Sequence, residues 1–447
     1  MIPGHRHRTS KGEAVPPGGF RGGIHPPDRK AATSGATIVR APLPKKLVVS
    51  MSQHLGAPCT PTVTVGERVQ RGQLLGTVDA MISAPVHAPV TGEVSALARI
   101  LLPSGALAQA LEIVPDSDQD YGMFVPIEDA ESSQELVRRA GVVGLGGAAF
   151  PSAVKLRPPR DMPVHTVILN GCECEPYLTC DHRIMLESPQ RVVAGARIIK
   201  EAVGAGRAVI AVEANKLDAA ESLSRHAGDD VEIVVLPVSY PQGAEKQLIV
   251  AVLGTEVPHG KLPAATGALV HNVGTAAAIA DAVEYRKPLM ERVVTVTGQV
   301  SAPANLLALL GTPIQDLVDA VGGLLPGSGR LIAGGPMTGN ALADLAVPVV
   351  KGTSGLVALA AEEVAPAVRG DQPCIRCARC AGACPMSLQP YALGIYANRS
   401  DWAGTERFHA LDCIECGCCS YVCPTYRPLV QLIRRAKHAM LERGVQL

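Results

Sequence analysis

The stretches CIRCARCAGACP, residues 374–385, and CIECGCCSYVCP, residues 413–424, are two copies of one cysteine pattern near the end of this 447-residue chain. In each copy three cysteines stand three residues apart, and a fourth follows four residues later, directly before proline. A loop with this spacing can supply three corners of a cubane iron–sulfur cluster, while the fourth cysteine completes the other cluster. The pattern therefore predicts two four-iron, four-sulfur clusters in a mainly helical C-terminal segment.

The predicted ligands divide into two sets, because the fourth cysteine of each copy binds the cluster that the other copy holds. A pair of zinc sites or a disulfide framework is the alternative. Zinc sites favour Cys-x2-Cys pairs, often with histidine, and gain nothing from a third cysteine and a trailing Cys-Pro in duplicate. Cys418 leaves the spacing unchanged and is expected to be a bystander. The two sets are Cys374, Cys377, Cys380 and Cys423 for the first cluster, and Cys384, Cys413, Cys416 and Cys419 for the second.

The overall composition excludes several classes of function. Basic and acidic residues balance at 41 each, so no electrostatic footprint for nucleic acid is present. No apolar run reaches the roughly 20 residues of a membrane-spanning helix, and the N-terminus lacks the apolar core of a secretory signal. Thirteen cysteines are unusual for a reducing compartment unless they bind metal. These features predict a cytoplasmic protein, or a peripheral one docked on a membrane partner.

The N-terminal third divides into two parts. Residues 1–18 combine Gly, Pro and charge without periodicity and are expected to form a mobile tail. Residues 19–120 contain short β-type runs bounded by Gly or Pro, which is typical of a small all-β domain. Examples of these runs are residues 46–50, 62–65 and 83–94.

The remaining chain is expected to form three further domains. Residues 121–288 alternate strand-like and helix-like segments, which favours a parallel sheet with helices on its faces. Residues 289–365 are rich in glycine and in β-branched residues, and their first β-type run is 293–298. Residues 366–447 form the cysteine domain. Within 121–288 the expected strands are 164–169, 208–212 and 231–236, and the expected helices begin at Ser188-Pro189 and cover 243–253.

Two polar segments of the alternating region are candidates for ligand binding. Residues 141–155 contain Gly144, Gly146, Gly147 and Lys155, and glycine lets backbone N–H groups approach a phosphate closely. A packed Gly/Ala-rich turn remains the equal alternative. Residues 170–177 follow the first predicted strand. Open parallel sheets bind ligands at this carboxyl end of their strands. The carboxylates and amide of residues 170–177 could contact a flavin ring or a ribose, and a solvated loop is the alternative.

Motifs spread along the chain from Phe20 resemble the RnfC family, the peripheral subunit of the Rnf ion-translocating ferredoxin:NAD oxidoreductase. Together they cover nearly the whole sequence. They are GGIHPP at 22–27, GAPC at 56–59, GLGGAAFP at 144–151, ECEPYLT at 173–179, YPQGAEKQL at 240–248, HNVGT at 271–275, GGPM at 334–337 and CIEC at 413–416.

The central part is also similar to the flavin- and NADH-binding subunit of respiratory complex I. This similarity implies a nucleotide site within residues 144–155 and the segments that follow it. Two positions depart from that pattern: Leu145 replaces an arginine of the glycine loop, and Cys172 replaces an acid. The implied FMN residues are Gly144, Gly146, Gly147, Lys155, Asn170, Glu173, Gly243 and Asn272, with Glu175 and Glu245 near the nicotinamide nucleotide.

The resemblance implies a multidomain α/β fold. Its parts are an N-terminal barrel-sandwich module without a carrier lysine, a Rossmann-like FMN/NADH domain, a β-grasp module and a two-cluster ferredoxin domain. It implies an enzyme subunit that relays electrons between NAD(H), FMN and two [4Fe-4S] clusters, with no catalytic side chain of its own. The implied partners are membrane-embedded and peripheral subunits at the cytoplasmic face of the cell membrane, and ferredoxin indirectly.

Two other functions remain open at this point. A cobalamin reductase has similar flavin and cluster modules, but that family usually begins with the glycine-rich motif. Here the residues 19–120 module comes first. A non-catalytic, ferredoxin-like docking subunit with a decayed flavin site is the other alternative, and it rests on Leu145 and Cys172.

Overall fold

Residues 18–368 and 372–445 are described by the computed structural model of the chain, without the side chains of 366–368. The mobile tail expected at residues 1–18 therefore lies outside the described residues, apart from Gly18. Among the described residues, no helix combines the length and the apolar character needed to cross a membrane.

The first β unit consists of two small sheets, with the strand orders β2-β8-β7-β4 and β3-β5-β6. Cross-strand pairs fill its core: Leu47 lies opposite Ile113 and Val49 opposite Leu111, and all four are at most 1% exposed. The strands of this part of the chain are β1 (Ile38–Arg40), β2 (Leu47–Ser50), β3 (Thr60–Pro61), β4 (Arg68–Val69), β5 (Leu74–Thr77), β6 (Val86–His87), β7 (Gly92–Leu101) and β8 (Leu107–Pro115).

Two features of this region were not expected from the sequence. The prediction of a strand at 62–65 is wrong, because β3 ends at Pro61 and a turn follows. In that turn the Glu67 N–H donates to the Thr64 carbonyl over 3.1 Å, and the Glu67 carboxylate accepts from the Thr64 N–H over 3.0 Å. In addition, β1 leaves the first β unit and pairs in parallel with a strand of a later sheet.

The α/β unit has a parallel four-stranded sheet with the order β11-β10-β9-β12. Side chains of β9 alternate between its faces: Val167 and Leu169 pack with α4 and α7, whereas Ile168 packs with α6. The predicted strands and helices of this region are confirmed, with starts within two residues of the structure. The elements are α1 (Ser133–Arg139), α2 (Ser152–Lys155), β9 (Thr166–Gly171), α3 (Cys180–Glu187), α4 (Pro189–Ala202), β10 (Arg207–Glu213), α5 (Leu217–Ala227), β11 (Glu232–Leu236), α6 (Glu245–Leu253), β12 (Ala268–Asn272) and α7 (Val273–Glu284).

The second β unit has a mixed six-stranded sheet with the order β1-β14-β13-β17-β15-β16. Its central strand β13 covers the predicted 293–298 segment, and Val294 and Val296 are fully buried there. One helix, α8, packs into the same core through Ile314 and Leu317. The elements are β13 (Glu291–Gly298), β14 (Ala304–Leu309), α8 (Ile314–Ala320), β15 (Ser328–Ala333), β16 (Asn340–Ala341), β17 (Gly355–Ala360) and α9 (Ala361–Val368).

The helical unit carries both cysteine patterns, and its predicted helical character is confirmed. Leu393 of α11 packs against Ile433 and Met440 of α14. These two helices form the scaffold on which the cysteine loops lie. The helices are α10 (Arg379–Gly382), α11 (Pro390–Asn398), α12 (Trp402–Arg407), α13 (Cys418–Tyr421) and α14 (Leu429–Glu442).

A buried ion-pair network joins the first and second β units. Arg71 and Glu291 are 2% and 9% exposed, and their charged atoms lie 3.2 Å apart. Glu291 also accepts from Arg40 at 2.9 Å and Lys287 at 3.0 Å. Burial alone would raise the pKa of Glu291, but the charges of Lys287, Arg71 and Arg40 outweigh it and lower that pKa to about 2.

We expect Glu291→Gln to destabilise the protein by about 3–5 kcal/mol, because Arg71 would be left buried without its partner. The stabilisation by Glu291 is complete above its ordinary pKa of 4.5 and is lost as the pH falls toward 2. Calorimetric melting between pH 7 and pH 3 measures both effects. The matched control is Glu112→Gln, which removes the exposed Lys46–Glu112 pair and should cost less than about 1 kcal/mol. Equal melting shifts in the two variants would contradict this account.

Candidate functional site

The residues expected to bind a nucleotide lie at the carboxyl edge of the parallel sheet. From β9 the chain adds β10 and β11 on one side of the sheet and β12 on the other. At this point Asn170, near the end of β9, is the register partner of Asn272, the last residue of β12. Open parallel sheets bind ligands where the strand order reverses in this way. The edge between β9 and β12 thus has the geometry of a ligand site.

The glycine-rich loop at residues 144–151 lies against this edge. Its ends are joined by the Gly144 N–H, which donates to the Phe150 carbonyl over 2.9 Å. The Leu145 N–H donates to the Thr275 hydroxyl in the first turn of α7 over 2.8 Å. The loop is therefore held to the N-terminal end of a helix, while its tip, 146–148, is exposed.

Glycine at position 146 permits an approach that no other residue would allow. A Cβ there would lie 2.5 Å from Nδ2 of Asn272. The Asn272 side chain is itself held on both sides, because its oxygen accepts from the Gly274 N–H at 2.8 Å and its nitrogen donates to Asp181 at 2.6 Å. The exposed loop backbone and the α7 N-terminus together form a cradle suited to an anion such as a phosphate.

Lys155 supplies the positive charge of this edge. Its Nζ donates to the Val270 carbonyl of β12 over 2.6 Å and to the Glu245 carboxylate at the start of α6 over 2.8 Å. Lys155 is 28% exposed and Glu245 is 40% exposed. Both charged groups can therefore reach a bound molecule without leaving the edge.

The loop after β9 connects the edge to its surroundings. The Asn170 amide donates to the Gly243 carbonyl over 2.8 Å. The Glu173 carboxylate accepts hydrogen bonds from two N–H groups in the first turn of α3, those of Asp181 at 2.8 Å and His182 at 3.1 Å. Glu175 accepts from the Met337 N–H of the second β unit over 3.2 Å, and burial raises the pKa of Glu175. Glu173 thus acts as a helix cap, and Glu175 bridges two units.

Lys30 organises this loop, although no sequence pattern predicts that role. It is 6% exposed, and its Nζ donates to the carbonyl oxygens of Glu173 at 2.9 Å and Glu175 at 2.8 Å, as well as to that of Leu178. Burial lowers the pKa of Lys30. No spacing rule marks this lysine; the only signal was its place shortly after the 22–27 motif.

The two departures from the complex I pattern do not disturb the exposed edge. The Leu145 side chain is buried in the core of the second β unit, and its carbonyl accepts from the Arg292 guanidinium over 3.1 Å. Cys172 is fully buried, and burial raises the pKa of its thiol, so the side chain stays neutral. The residues that do form the edge fit a flavin mononucleotide: an exposed glycine backbone and Lys155 for a phosphate, and Asn170 beside Gly243 for a polar ring.

The two cysteine loops repeat one backbone geometry. Arg376 and Ala378 in the first copy, and Glu415 and Gly417 in the second, have positive φ angles between 58° and 83°. The Arg376 N–H donates to the Cys374 sulfur, and the Glu415 N–H donates to its cysteine two residues earlier, both over 3.4 Å. Left-handed non-glycine residues cost about 1–3 kcal/mol each and are typical of sites where the backbone wraps a ligand.

The structure brings the second predicted ligand set together around one cavity. Cys384, from the first copy, lines this cavity together with the first three predicted ligands of the second copy. Cys418 also borders it, and its sulfur lies 3.9 Å from the Tyr240 carbonyl. The fourth cysteine of the first copy therefore lies beside the cysteines of the second copy, as the predicted ligand set requires. The predicted ligands among the lining residues are Cys384, Cys413, Cys416 and Cys419.

The first predicted set lies nearer the surface. Burial, followed by the nearby thiols of Cys423 and Cys374, raises the pKa of Cys380. Cys377 is exposed. All 13 cysteines fall in the described part of the chain, and no disulfide joins any two of them there.

Four protein-family models match the chain in sequence order. Residues 18–118 match the RnfC barrel sandwich hybrid domain, and residues 137–281 match the Nuo51 FMN-binding domain. Residues 293–341 match the SLBB domain, and residues 367–424 match a 4Fe-4S dicluster domain. The expected fold class, with its barrel-sandwich, flavin-binding, β-grasp and two-cluster parts, is confirmed, as are the FMN and cluster cofactors.

Solved structures with similar folds include one at low sequence identity. The crystal structure of an NAD+-reducing [NiFe]-hydrogenase in the H2-reduced state aligns with a TM-score of 0.51 and 21% identity. The alignment covers 68% of this chain and 62% of that one.

Curated relatives match over nearly the full length. The C subunit of the proton-translocating ferredoxin:NAD(+) oxidoreductase complex of Clostridium ljungdahlii is 42% identical, over 94% of this chain and 93% of that protein. Its counterpart in the Na(+)-translocating complex of Acetobacterium woodii is 43% identical, over 95% and 97%. The corresponding protein of the ion-translocating oxidoreductase complex of Rhodobacter capsulatus is 41% identical, over 95% and 83%. This chain therefore belongs to the RnfC family, the C subunits of ion-translocating ferredoxin:NAD(+) oxidoreductase complexes.

Proposed function

We propose that this protein is the peripheral subunit through which electrons pass between NAD(H), FMN and two [4Fe-4S] clusters in an ion-translocating ferredoxin:NAD oxidoreductase complex. The observation that carries the proposal is the direct contact between the nucleotide edge of the α/β unit and the second cysteine loop. When bound, FMN supplies hydride exchange with the nicotinamide and single-electron exchange with the iron–sulfur centres. The residues of the chain bind, orient and separate these groups.

Each site residue has a proposed task. The glycine loop and Lys155 hold the flavin phosphate, and the polar groups after β9 and β12 orient the ring. Glu245, at the start of α6, and Glu175, whose carboxylate also binds the Met337 N–H, are the proposed residues near the nicotinamide nucleotide. The flavin-binding residues are Gly144, Gly146, Gly147, Lys155, Asn170, Glu173, Gly243 and Asn272.

Tyr240 forms the bridge between the nucleotide edge and the second cluster. It lies three residues before Gly243, and its hydroxyl donates to the Cys416 carbonyl over 2.7 Å. Ile24 pairs with Tyr240 through two main-chain hydrogen bonds of 2.8 and 2.9 Å. The Gly23 N–H donates to the Ala383 carbonyl over 3.0 Å, directly before Cys384. The N-terminal motif therefore fastens the α/β unit to the ligands of the second cluster.

These contacts give the two clusters different tasks. The second cluster, on the Cys384 and Cys413–Cys419 ligands, is the one next to the flavin. The first cluster lies in a loop whose Cys377 and Ile375 are exposed, with Tyr421 and Tyr426 exposed nearby at 51% and 52%. We propose that this surface passes electrons to other subunits of the complex, both peripheral and membrane-embedded, at the cytoplasmic face of the membrane. Ferredoxin would then act through those subunits.

The two alternative functions find less support. The match of residues 18–118 to the RnfC barrel sandwich domain disfavours a cobalamin reductase that begins with the glycine-rich motif. A docking subunit with a decayed flavin site was suggested by Leu145 and Cys172. Both side chains are buried away from the exposed edge, so neither removes a group from it.

Lys155→Ala is expected to weaken FMN binding by about 10- to 100-fold, because a charge-assisted hydrogen bond to phosphate contributes about 1.5–3 kcal/mol. Flavin retained after anaerobic gel filtration measures this loss. Glu245→Gln should keep its FMN and instead raise the KM for NADH. The control is Lys200→Ala, on the outer side of α4. It should keep its FMN and leave the KM for NADH unchanged. Full flavin content in Lys155→Ala would place the phosphate elsewhere.

The order of the clusters can be tested with two cysteine variants. Anaerobic NADH titration is followed by flavin bleaching and by the electron paramagnetic resonance signals of the reduced clusters. Cys377→Ala should lose the first cluster and keep NADH-driven reduction of the second. Cys416→Ala should keep a first cluster that dithionite reduces and NADH does not. Reduction of the first cluster by NADH in Cys416→Ala would contradict the order, and a flavin that NADH leaves oxidised would contradict the NAD assignment.

A further inference from the structure

Two histidines and a carboxylate meet where the α/β unit contacts the helical unit, apart from the nucleotide edge and the cysteine ligands. His259 lies in the loop after α6. His409 precedes a short 3-10 turn, 410–412, and Asp412 is the last residue of that turn, directly before Cys413. His259 Nδ1 is 2.8 and 2.7 Å from the two Asp412 carboxylate oxygens. The imidazole rings of His259 and His409 meet edge to face, with centroids 5.7 Å apart.

We propose that His259, His409 and Asp412 form a binding site for a divalent transition-metal ion, with zinc as the best match. One ligand atom from each residue lies within 4.8 Å of the other two. Zinc binds imidazole nitrogen and carboxylate oxygen at about 2.0–2.2 Å, usually with four ligands. Three protein ligands and one water complete that number. Magnesium and calcium prefer sites made of oxygen alone, so they do not match two imidazoles.

The backbone presents two of the three ligands together. His409 has a φ of 58°, a left-handed conformation that is uncommon outside glycine. The Asp412 N–H donates to the His409 carbonyl over 3.1 Å, which closes the turn and places both residues in it. A histidine–aspartate hydrogen bond alone would account for His259 and Asp412. It does not account for the position of the exposed His409 ring, which also has a ligand nitrogen within 4.8 Å of the ligand atoms of His259 and Asp412.

The third ligand comes from a different unit and is free to adjust. The Asp412 side chain is 14% exposed, whereas that of His259 is 62% exposed and lies in a loop. A small movement of His259 can therefore bring the three atoms to bonding distance. A bound ion would tie the loop 254–262 of the α/β unit to the turn that precedes Cys413. It would act as a clasp beside the second cluster and take no part in electron transfer, because zinc has no redox chemistry.

Isothermal titration of cluster-loaded, flavin-loaded protein with zinc chloride under anaerobic conditions tests the site. We expect the unaltered protein to bind one more zinc ion per chain than His409→Ala or His259→Ala does. Any zinc that these variants still bind at this site should bind more than about tenfold more weakly than in the unaltered protein. His438→Ala is the matched control, because His438 is an exposed histidine beside Glu442 on α14. It should bind zinc as the unaltered protein does. Iron and flavin contents, measured on every variant, separate this outcome from loss of the clusters or of the flavin.

Hydrogen exchange provides the second measurement. Zinc should slow amide exchange in residues 254–262 of the unaltered protein and leave it unchanged in His409→Ala. Equal zinc binding in the unaltered protein, His259→Ala and His409→Ala overturns the site. Zinc binding that leaves exchange in 254–262 unchanged overturns the clasp.

Discussion

The contact of Tyr240 with the second cysteine loop joins the nucleotide edge to the iron–sulfur ligands. Electrons pass efficiently between groups only when protein elements hold those groups close together. Tyr240 meets this need from a turn that also carries Gly243 of the nucleotide edge, while its hydroxyl reaches the Cys416 carbonyl. Ile24, Ala383 and Cys418 are buried around it. The N-terminal segment, the α/β unit and the helical unit therefore meet at one small apolar cluster, and none of them could shift without separating the edge from the cysteines.

Buried cations hold the other contacts between units. Lys30 binds carbonyl oxygens of the loop after β9, and Lys351 of the second β unit donates to the carbonyls of Pro85 and Gly141, both at 2.7 Å. Arg292 donates to the Leu145 carbonyl at the base of the glycine loop. Each cation satisfies carbonyl groups that lie outside strands and helices, and each joins segments far apart in sequence. The loops that form the site are thereby fixed without regular secondary structure.

Some features of the site could be predicted from local pattern, and others could not. The parallel strands, the helix after Ser188-Pro189 and the helical cysteine segment follow from periodicity and spacing, which short-range interactions determine. The strand expected at 62–65 is instead a turn, because the Glu67 carboxylate binds the Thr64 N–H and ends the strand pattern. No local pattern predicts that Glu173 caps α3, because its carboxylate meets the N–H groups of that helix only after the loop between them has folded.

The chemistry of this protein can be read from local sequence patterns: two copies of a cysteine pattern whose spacing suits iron–sulfur clusters, and glycine and lysine residues suited to a phosphate. These are local properties, because the distance between neighbouring ligands in a loop depends on only a few backbone angles. Long-range contacts place one cysteine set against the nucleotide edge, add β1 to a distant sheet, and bring Lys30 and Tyr240 to the site. Those relations depend on long-range packing and on the burial of charge, which no spacing in the sequence records.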